Sequence, residues 1–468
     1  MNTQIRRSIL IGSLLFSVLA GGHPAVAAAA EPARLGSYTG TIDGAAFRVE
    51  VPRRWNGTLM LYSHGYIPPG TPQSPAHQIA LATRPQTQNW LLEHGYALAA
   101  SNYRSSGYAV EDALNDQVKL LNWFSRNVGR PHRTISTGAS MGGGIAVRLA
   151  ERHPHRFVGV LAQCADLDQN GTWNMALDLA FTIKTLLPTA HDVELVNARD
   201  PDGSRDALIE AAMQAAATPD GRARLALAGA LGNIPGWLSA HQPRPTQPID
   251  RITAQATWIV GAYLWGMGPT ARADLEHRAG GNPSWNVGIN YDHQLARSAQ
   301  RDLVEQAYRE ADLDLNADLA RLAAAPRIAP DPVAVRHMYR SAVPTGRTPA
   351  PVITLHGTGD GGAVVDQQRW YATQVRRSGD PARLRQLYIN RGSHCAFNAA
   401  EEITTLRTLI TRIDTGRWPS TEPDQLNATT NAFDPKYHTV HDLFSQQEAT
   451  MPPAFTRHDP PTWLRPSR

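Results

Sequence analysis

The chain has 468 residues, 42% of them hydrophobic, which is enough for one large core or for two to three ordinary domains. Its formal net charge is only +4, and the basic residues, nearly all arginines, are scattered along the sequence. The sequence contains no basic stripe with interleaved aromatic side chains, which argues against nucleic-acid binding.

The first thirty residues have the character of a targeting segment. Arg6 and Arg7 precede an apolar run, Ser8 to Ala20, and Ala25-Val26-Ala27 resembles a signal-peptide cleavage site. The apolar run is short for a membrane span, and no later run is long and uncharged enough to form one. We therefore expect a signal peptide over residues 1–30 and a secreted or otherwise exported protein without stable membrane insertion.

Strand and helix patterns alternate after this segment. Residues 36–51 alternate apolar and polar around Asp43-Gly44, which predicts an antiparallel hairpin. The stretch from 58 to 165 reads strand–helix–strand–helix–strand–helix–strand, with its first two helices expected at 76–94 and 111–127. Such alternation predicts a mostly parallel sheet with helices on both faces. The pattern returns from 351 to 413.

A long, mostly helical stretch separates the two parts of this pattern. It contains five tryptophans: Trp173, Trp237, Trp258, Trp265 and Trp285. Because the sheet pattern on either side is incomplete alone, we interpret the stretch as a cap inserted into one domain, in preference to a separate domain. The predicted division is core over residues 31–165, cap over 166–348, core over 349–414, and an irregular tail packed on the core over 415–468.

The sequence Gly138-Ala139-Ser140-Met141-Gly142 lies between a β-branched run and a helical pattern. This is the G-x-S-x-G motif in a strand–turn–helix setting, where a serine hydroxyl projects from a tight turn. Glycines are required because side chains at both ends of the turn would meet neighbouring backbone. The motif predicts that Ser140 is a nucleophile for acyl transfer.

A serine hydroxyl needs a base, and the base needs an orienting acid. Asp360 follows one predicted strand and His394 follows the next, in the order Ser, Asp, His. Both therefore fall at the strand edge that carries Ser140, and we predict them as the acid and the base. The alternatives for the acid are Asp366, which we expect to cap the following helix instead, and Asp166 and Asp168 after the preceding strand.

An oxyanion hole needs two backbone N–H donors. The residue after the nucleophile, Met141, supplies one, and the loop after the third strand supplies the other. We assign the second donor to Tyr66, with Gly65 as the alternative, and interpret His64 as a structural loop residue.

These motifs together resemble the α/β-hydrolase superfamily, in particular its exported bacterial serine esterases. The resemblance covers about residues 36–165 and 350–413 and rests on Ser140, the His64-Gly65 loop, Asp360 and His394. It implies the α/β-hydrolase fold, with a mostly parallel eight-stranded sheet, helices on both faces and a large helical cap insertion. It also implies a Ser-His-Asp mechanism that uses neither a metal nor another cofactor.

The two cysteines fit this arrangement. Cys395 directly follows His394, and Cys164 ends the strand after the Ser140 helix, so both belong at one rim of the sheet. In an exported protein this favours a disulfide between them over two buried thiols. Some feruloyl esterases and tannases of the superfamily carry a disulfide beside the histidine, although its partner there adjoins the nucleophile.

The function predicted from these residues is hydrolysis of a small-molecule carboxylic ester with a bulky or apolar group. A peptidase of the prolyl aminopeptidase type is the alternative, and a non-catalytic binding module is a third. The peptidase would need cap carboxylates to hold the free amino group of its substrate. The carboxylates available are Glu194, Glu210, Asp274, Glu276 and Asp292.

Overall fold

The computed structural model describes residues 35–467, so the predicted signal peptide at residues 1–30 lies outside the described part. Eleven strands occur there: β1 (Gly36–Ile42), β2 (Ala45–Val51), β3 (Thr58–Ser63), β4 (Ala97–Ser101), β5 (Arg133–Ala139), β6 (Gly159–Gln163), β7 (Val352–Gly359), β8 (Leu384–Gly392), β9 (Thr439–His441), β10 (Glu448–Thr450) and β11 (Phe455–Thr456).

Nine of these strands form one sheet in the order β1-β2-β4-β3-β5-β6-β7-β8-β11. Strands β3 to β8 run parallel to one another, whereas β2 is antiparallel to both of its neighbours and β11 is antiparallel to β8. The expected count of eight strands was therefore one too low. The ninth comes from the tail, where Phe455 pairs with Ile389 and covers the otherwise open edge of β8.

Sixteen α-helices occur in residues 35–467. Those of the sheet region are α1 (Pro85–Glu93), α2 (Val110–Asn127), α3 (Met141–Arg152), α14 (Asp366–Ser378) and α15 (Ala399–Thr415), and α16 (Pro423–Asn431) lies in the tail. Strands β6 and β7 are separated by α4 (Gln169–Leu186), α5 (Pro201–Ala216), α6 (Pro219–Leu231), α7 (Pro248–Trp258), α8 (Trp265–Met267), α9 (Pro269–Ala279), α10 (Tyr291–Ala296), α11 (Arg301–Glu310), α12 (Leu315–Ala324) and α13 (Pro332–Ser341).

Both faces of the sheet are buried. Leu59 and Leu61 of β3 pack on one side with α2 and α3, while Met60 and Tyr62 pack on the other side with α1 and α15. Alternate residues of a strand point to opposite faces, so one apolar strand contributes to two cores. This explains why every residue of β3 is buried and why residues 59–61 are all apolar.

Two local predictions differ from the structure. The helix expected over residues 76–94 begins only at Pro85, after a single 3₁₀ turn at Ala76–Gln78. Proline excludes the residue before it from helical geometry and favours the first helical position, so Arg84 remains extended. The tail was expected to be irregular, but it contains α16, the β9–β10 ribbon and β11.

The strand–turn–helix elbow between β5 and α3 lies in a mostly parallel sheet that has helices on both faces. This is the architecture of the α/β-hydrolase fold, and the predicted fold class is confirmed. The stretch between β6 and β7 is helical, while the domain boundaries assigned to it stay a prediction. No helix among residues 35–467 combines the length and the apolar character needed to cross a bilayer.

Candidate active site

Ser140 occupies the turn between β5 and α3. Its backbone has φ 58° and ψ −129°, a conformation that L-residues rarely adopt and that functional sites hold by surrounding contacts. Its N–H donates to the Gln163 carbonyl at 3.0 Å, and its carbonyl accepts from the Gly143 N–H at 2.9 Å. Main-chain hydrogen bonds therefore hold Ser140 in this conformation.

The flanking glycines are required by close backbone approach. A Cβ added at Gly138 would lie 2.1 Å from the Gly142 carbonyl oxygen, and one added at Gly142 would lie 2.1 Å from the Ser63 carbonyl oxygen. Both obstacles are main-chain atoms, which cannot move aside as a flexible side chain can. The sequence-based reason for these glycines agrees with this geometry.

We expect Gly138→Ala to lower the free energy of unfolding by about 1–3 kcal/mol, since the added methyl group must displace backbone in a packed turn. Urea unfolding measures the change. Gly266→Ala is the control, because a Cβ there meets nothing within 4 Å. A Gly138→Ala protein as stable as the unmodified one would contradict this account of the turn.

Three predicted site residues meet at this turn. The Ser140 hydroxyl lies 2.9 Å from His394 Nε2, and His394 Nδ1 lies 2.8 and 2.9 Å from the two carboxylate oxygens of Asp360. With Nδ1–H donating to Asp360, Nε2 is left to accept the proton of the serine hydroxyl. The structure thus brings Ser140, His394 and Asp360 into one continuous chain of hydrogen bonds.

Backbone N–H groups of its own loop hold the Asp360 carboxylate in place. Its Oδ1 accepts from the N–H groups of Gly362 and Ala363 at 2.9 and 3.1 Å, and the side chain is almost fully buried. Nearby, His356 donates from Nε2 to the Ala363 carbonyl at 2.7 Å and accepts from Gln368 at Nδ1. Burial lowers the pKa of His356, so this second histidine stays neutral and braces the acid loop.

The electrostatics of His394 combine opposing effects. Burial lowers the pKa of this imidazole, while the charge of Asp360, the hydrogen bond to Asp360 and the charge of Asp166 raise it. The net result is a pKa above the ordinary value. The protonated form of His394 is therefore stabilised by the carboxylates around it.

The loop predicted to complete an oxyanion hole lies against Ser140. A Cβ placed on Gly65 would be 3.2 Å from the Ser140 Cβ, and the Met141 N–H begins α3, where no carbonyl lies one turn earlier to accept it. His64 stacks on Tyr103 with ring centroids 4.0 Å apart. Burial lowers the pKa of His64, in keeping with a structural role. Assignment of the second donor to Tyr66 or Gly65 stays a prediction.

The alternative acids have other partners. Asp168 caps α4, accepting from the Gly171 N–H at 3.1 Å and from the Trp463 indole N–H at 2.9 Å. Asp366 was expected to cap α14, but the helix begins at Asp366 itself, and the carboxylate accepts from the Asn233 amide at 2.6 Å. Asp166 follows β6 close to the turn and receives a hydrogen bond from the Thr172 hydroxyl at 2.6 Å.

Cys164 and Cys395 form a disulfide, as predicted, and link β6 to the loop that carries His394. The Cys395 sulfur lies 3.4 Å from His394 Nε2. Cys164, Cys395 and His394 bring potential ligand atoms within 4.8 Å of one another, but both sulfurs are consumed in the bridge. This set therefore has no thiolate to offer a metal ion.

Two further contacts hold the loops of the site, and the sequence pattern indicated neither. Arg84 donates to the Cys395 carbonyl at 3.0 Å. Tyr263 donates to the carbonyls of Gly361 and Gly362, at 2.8 and 3.1 Å, from a π-helical segment between α7 and α8. A π-helix often marks a functional position, but it cannot be recognised from the sequence alone.

A comparison with known proteins finds a relative that aligns with most of this chain. An o-phthalyl amidase from Xanthobacter agilis is 29% identical over 423 residues, which cover 83% of this chain and 90% of that protein. No protein-family model matches the chain.

Two enzymes from Aspergillus species are among the solved structures that align with this chain. Tannin acyl hydrolase from Aspergillus niger aligns over 92% of this chain and 84% of its own, with a TM-score of 0.39 and 12% identity. Feruloyl esterase B from Aspergillus oryzae aligns over 90% of this chain and 86% of its own, with a TM-score of 0.38 and 12% identity.

Proposed function

We propose that this chain is an exported serine hydrolase that cleaves small-molecule carboxylic esters through an acyl-enzyme intermediate. The observation that carries the proposal is the hydrogen-bonded chain from Ser140 through His394 to Asp360, with every link at 2.8–2.9 Å. Such a chain supplies what a serine hydroxyl lacks by itself, a base within reach and a fixed orientation of that base.

The reaction follows from these contacts. Ser140 Oγ forms a bond to the ester carbonyl carbon while its proton passes to His394 Nε2, and the carbonyl oxygen becomes an oxyanion. The N–H groups of Met141 and Tyr66 stabilise that oxyanion. The bond to the alcohol oxygen then breaks, and His394 returns the proton to the departing alcohol. Water repeats the sequence on the acyl-enzyme, releasing the acid and restoring Ser140.

Two tryptophans from the stretch before β7 pack against the loops of the site. Trp258 packs against Gly361, and Trp237 packs against Gly359 and Gly392, so both indoles border the loops of the acid and the base. Both tryptophans are buried, and they shape the walls around the site more than its open surface.

Amide hydrolysis is the second candidate, favoured by the o-phthalyl amidase that is 29% identical over 83% of the chain. The same serine chemistry cleaves an amide when His394 protonates the departing amine. The aminopeptidase alternative has weaker support, because four of its five candidate carboxylates already have partners. Glu194 pairs with Arg199, Asp274 pairs with Arg278, Glu276 accepts from the Asn197 N–H and Glu210 accepts from Gln214.

Export is supported by the disulfide, since such bonds persist mainly in oxidising compartments. Expression of the full chain with a C-terminal tag tests this part of the proposal. We expect the exported protein to begin near residues 28–31. An uncleaved protein retained in the cytoplasm would contradict export without bearing on the chemistry.

A fluorophosphonate probe tests the serine chemistry, because it phosphonylates an activated serine without needing the true substrate. We expect labelling of Ser140 in the unmodified protein. Substrate class is then tested with a p-nitrophenyl ester, a p-nitroanilide of the same acyl group, an aminoacyl anilide and an o-phthalyl anilide. Fastest turnover of the ester supports the first candidate, and turnover confined to the o-phthalyl anilide supports the second. Absence of labelling would reject the serine hydrolase.

The pKa of His394 predicts the pH dependence of the reaction. Only neutral His394 can accept the Ser140 proton, so kcat/KM should fall about tenfold per pH unit below the pKa of the histidine. Because the surrounding carboxylates raise that pKa, the midpoint should lie above the ordinary value of 6.5. Initial rates with the p-nitrophenyl ester between pH 5 and 9 measure it. A midpoint below 6.5 would contradict the assignment of His394.

A further inference from the structure

A tyrosine hydroxyl from the helical stretch before β7 contacts the loop of the proposed catalytic acid. Tyr263 lies in the π-helical segment Ile259–Leu264, is almost fully buried, and donates to the carbonyl oxygens of Gly361 and Gly362 at 2.8 and 3.1 Å. Burial raises the pKa of its phenol well above the ordinary value, so the hydroxyl keeps its proton and stays a donor. No step of the reaction described above uses this contact.

The same two peptide groups also bind the carboxylate of Asp360. The Gly361–Gly362 peptide accepts from Tyr263 at its carbonyl, and its N–H donates to Asp360 Oδ1 at 2.9 Å. The Gly362–Ala363 peptide does the same, with its N–H donating to that oxygen at 3.1 Å. Because the C=O and N–H of a planar trans peptide point in opposite directions, each peptide bridges the hydroxyl and the carboxylate. The Tyr263 hydroxyl thus fixes the direction of both N–H groups.

This pair of glycines also lies directly against the imidazole. A Cβ added at Gly362 would lie 2.8 Å from His394 Cγ, so the glycine packs closely on the ring. One added at Gly361 would lie 2.5 Å from Cε2 of Trp258, the last residue of α7. The peptide between the two glycines therefore connects the helical stretch before β7 with His394.

The orientation of this peptide needs an outside support. A peptide plane between two glycines rotates with little steric hindrance, because neither residue has a Cβ. Rotation would turn the Gly362 N–H away from Asp360 and leave a carbonyl buried without its donor, which is costly. The hydrogen bonds from Tyr263 oppose that rotation from the carbonyl side.

We propose that Tyr263 is a positioning residue for the catalytic acid. Through the two peptide groups it fixes the direction of the Asp360 carboxylate, and through that carboxylate it fixes the His394 ring at the Ser140 hydroxyl. The inference rests on the proposed function, since it concerns the geometry of the base in that reaction.

The test measures the second-order rate constant with which a fluorophosphonate labels Ser140, at a temperature where every variant is folded. We expect Tyr263→Phe, which removes only the hydroxyl, to lower this constant by about tenfold to a hundredfold, because a small misplacement of the base has an effect of this size. Tyr263→4-aminophenylalanine carries an N–H for each carbonyl and should therefore keep most of the normal rate.

A double-mutant cycle separates positioning of the acid from a general structural role. In Asp360→Asn the amide favours the wrong tautomer of His394, so the direction of the acid no longer limits labelling. Adding Tyr263→Phe to this variant should lower the rate much less than it does in the unmodified protein. A hydroxyl that only stabilises the fold would change the rate by the same factor in both backgrounds.

Tyr308→Phe is the matched control. It also removes a buried tyrosine hydroxyl, one that donates to Asp318 at 3.1 Å. The melting temperature should fall in both variants, whereas the labelling rate should fall in Tyr263→Phe alone. Should Tyr263→Phe fail to fold, Tyr263→4-methylphenylalanine takes its place, because the methyl group fills the position of the hydroxyl without donating.

A normal labelling rate in folded Tyr263→Phe would overturn the inference and leave the proposed function intact. So would an equal loss of rate in the Asp360→Asn background, in the 4-aminophenylalanine variant or in Tyr308→Phe, since the effect would then pass through neither the acid nor the donor. Failure of the unmodified protein to label would instead reject the proposed function. The two failures are therefore separate results.

Discussion

Ser140→Ala is expected to reduce kcat for the preferred activated ester by about a millionfold, with little change in stability. Loss of the nucleophile or of the base in a comparable serine protease costs about this much. The substitution removes one oxygen from a turn whose backbone hydrogen bonds, through the Ser140 N–H and carbonyl, remain. Initial rates of the purified variant, together with active-site labelling, measure the loss of kcat. Thermal unfolding measures the change in stability.

If Ser140 and His394 act as one catalytic unit, the effects of their substitutions on kcat do not add up. We expect Ser140→Ala combined with His394→Ala to be no slower than either single variant, because each alone disables proton transfer. Asp360→Asn should cost about ten-thousandfold, since the amide favours the wrong tautomer of His394. Ser125→Ala, on the exposed side of α2, is the control and should leave kcat unchanged. Turnover within tenfold of normal in Ser140→Ala would contradict the assigned nucleophile.

Removal of the disulfide is expected to cost about 2–5 kcal/mol of unfolding free energy and to lower activity with it. Cys164 and Cys395 are separated by 231 residues, so their bond closes a very long loop and restricts the unfolded chain strongly. The bond also holds a histidine loop in which Ser393 and Cys395 both have positive φ, at 68° and 55°. Without the link this conformation loses support, and His394 leaves its hydrogen-bonding position more often.

Cys164→Ser, Cys395→Ser and the double variant should behave alike, because each removes the same bond. Denaturant unfolding gives the stability, and kcat at a temperature where every variant is folded gives the effect on the site. Titration of the unfolded, unreduced protein should find no free thiol. Two thiols there, or full activity in the folded double variant, would contradict the structural role given to the bridge.

The elbow could be predicted from the sequence because its cause is local. Gly138 and Gly142 are needed within one short turn, and the strand before Ser140 and the helix after it can be recognised from a few residues each. The hairpin at Asp43-Gly44 is similar, since positive φ at both residues is a property of the turn itself. The later start of α1 could also have been predicted, because Pro85 favours the first position of a helix.

The order of Asp360 and His394 after their strands was enough to predict that they meet Ser140, because parallel strands end at one edge of a sheet. The remaining partners could not be found this way. Arg84 and Tyr263 reach the site through contacts between segments far apart in the chain, and no spacing rule connects them. The pairing of β11 with β8 is equally non-local, since two residues carry no strand pattern of their own.

The sequence by itself therefore determined the elbow, the strand order of the acid and base, the cysteine pair and the class of fold. These depend on turn geometry, on strand and helix periodicity, and on where parallel strands end. The tertiary structure alone decided which side chains hold the loops of Asp360 and His394 in place, namely Tyr263 and Arg84. That outcome depends on burial and on hydrogen-bond donors supplied by distant segments, so it exists only once the chain is packed.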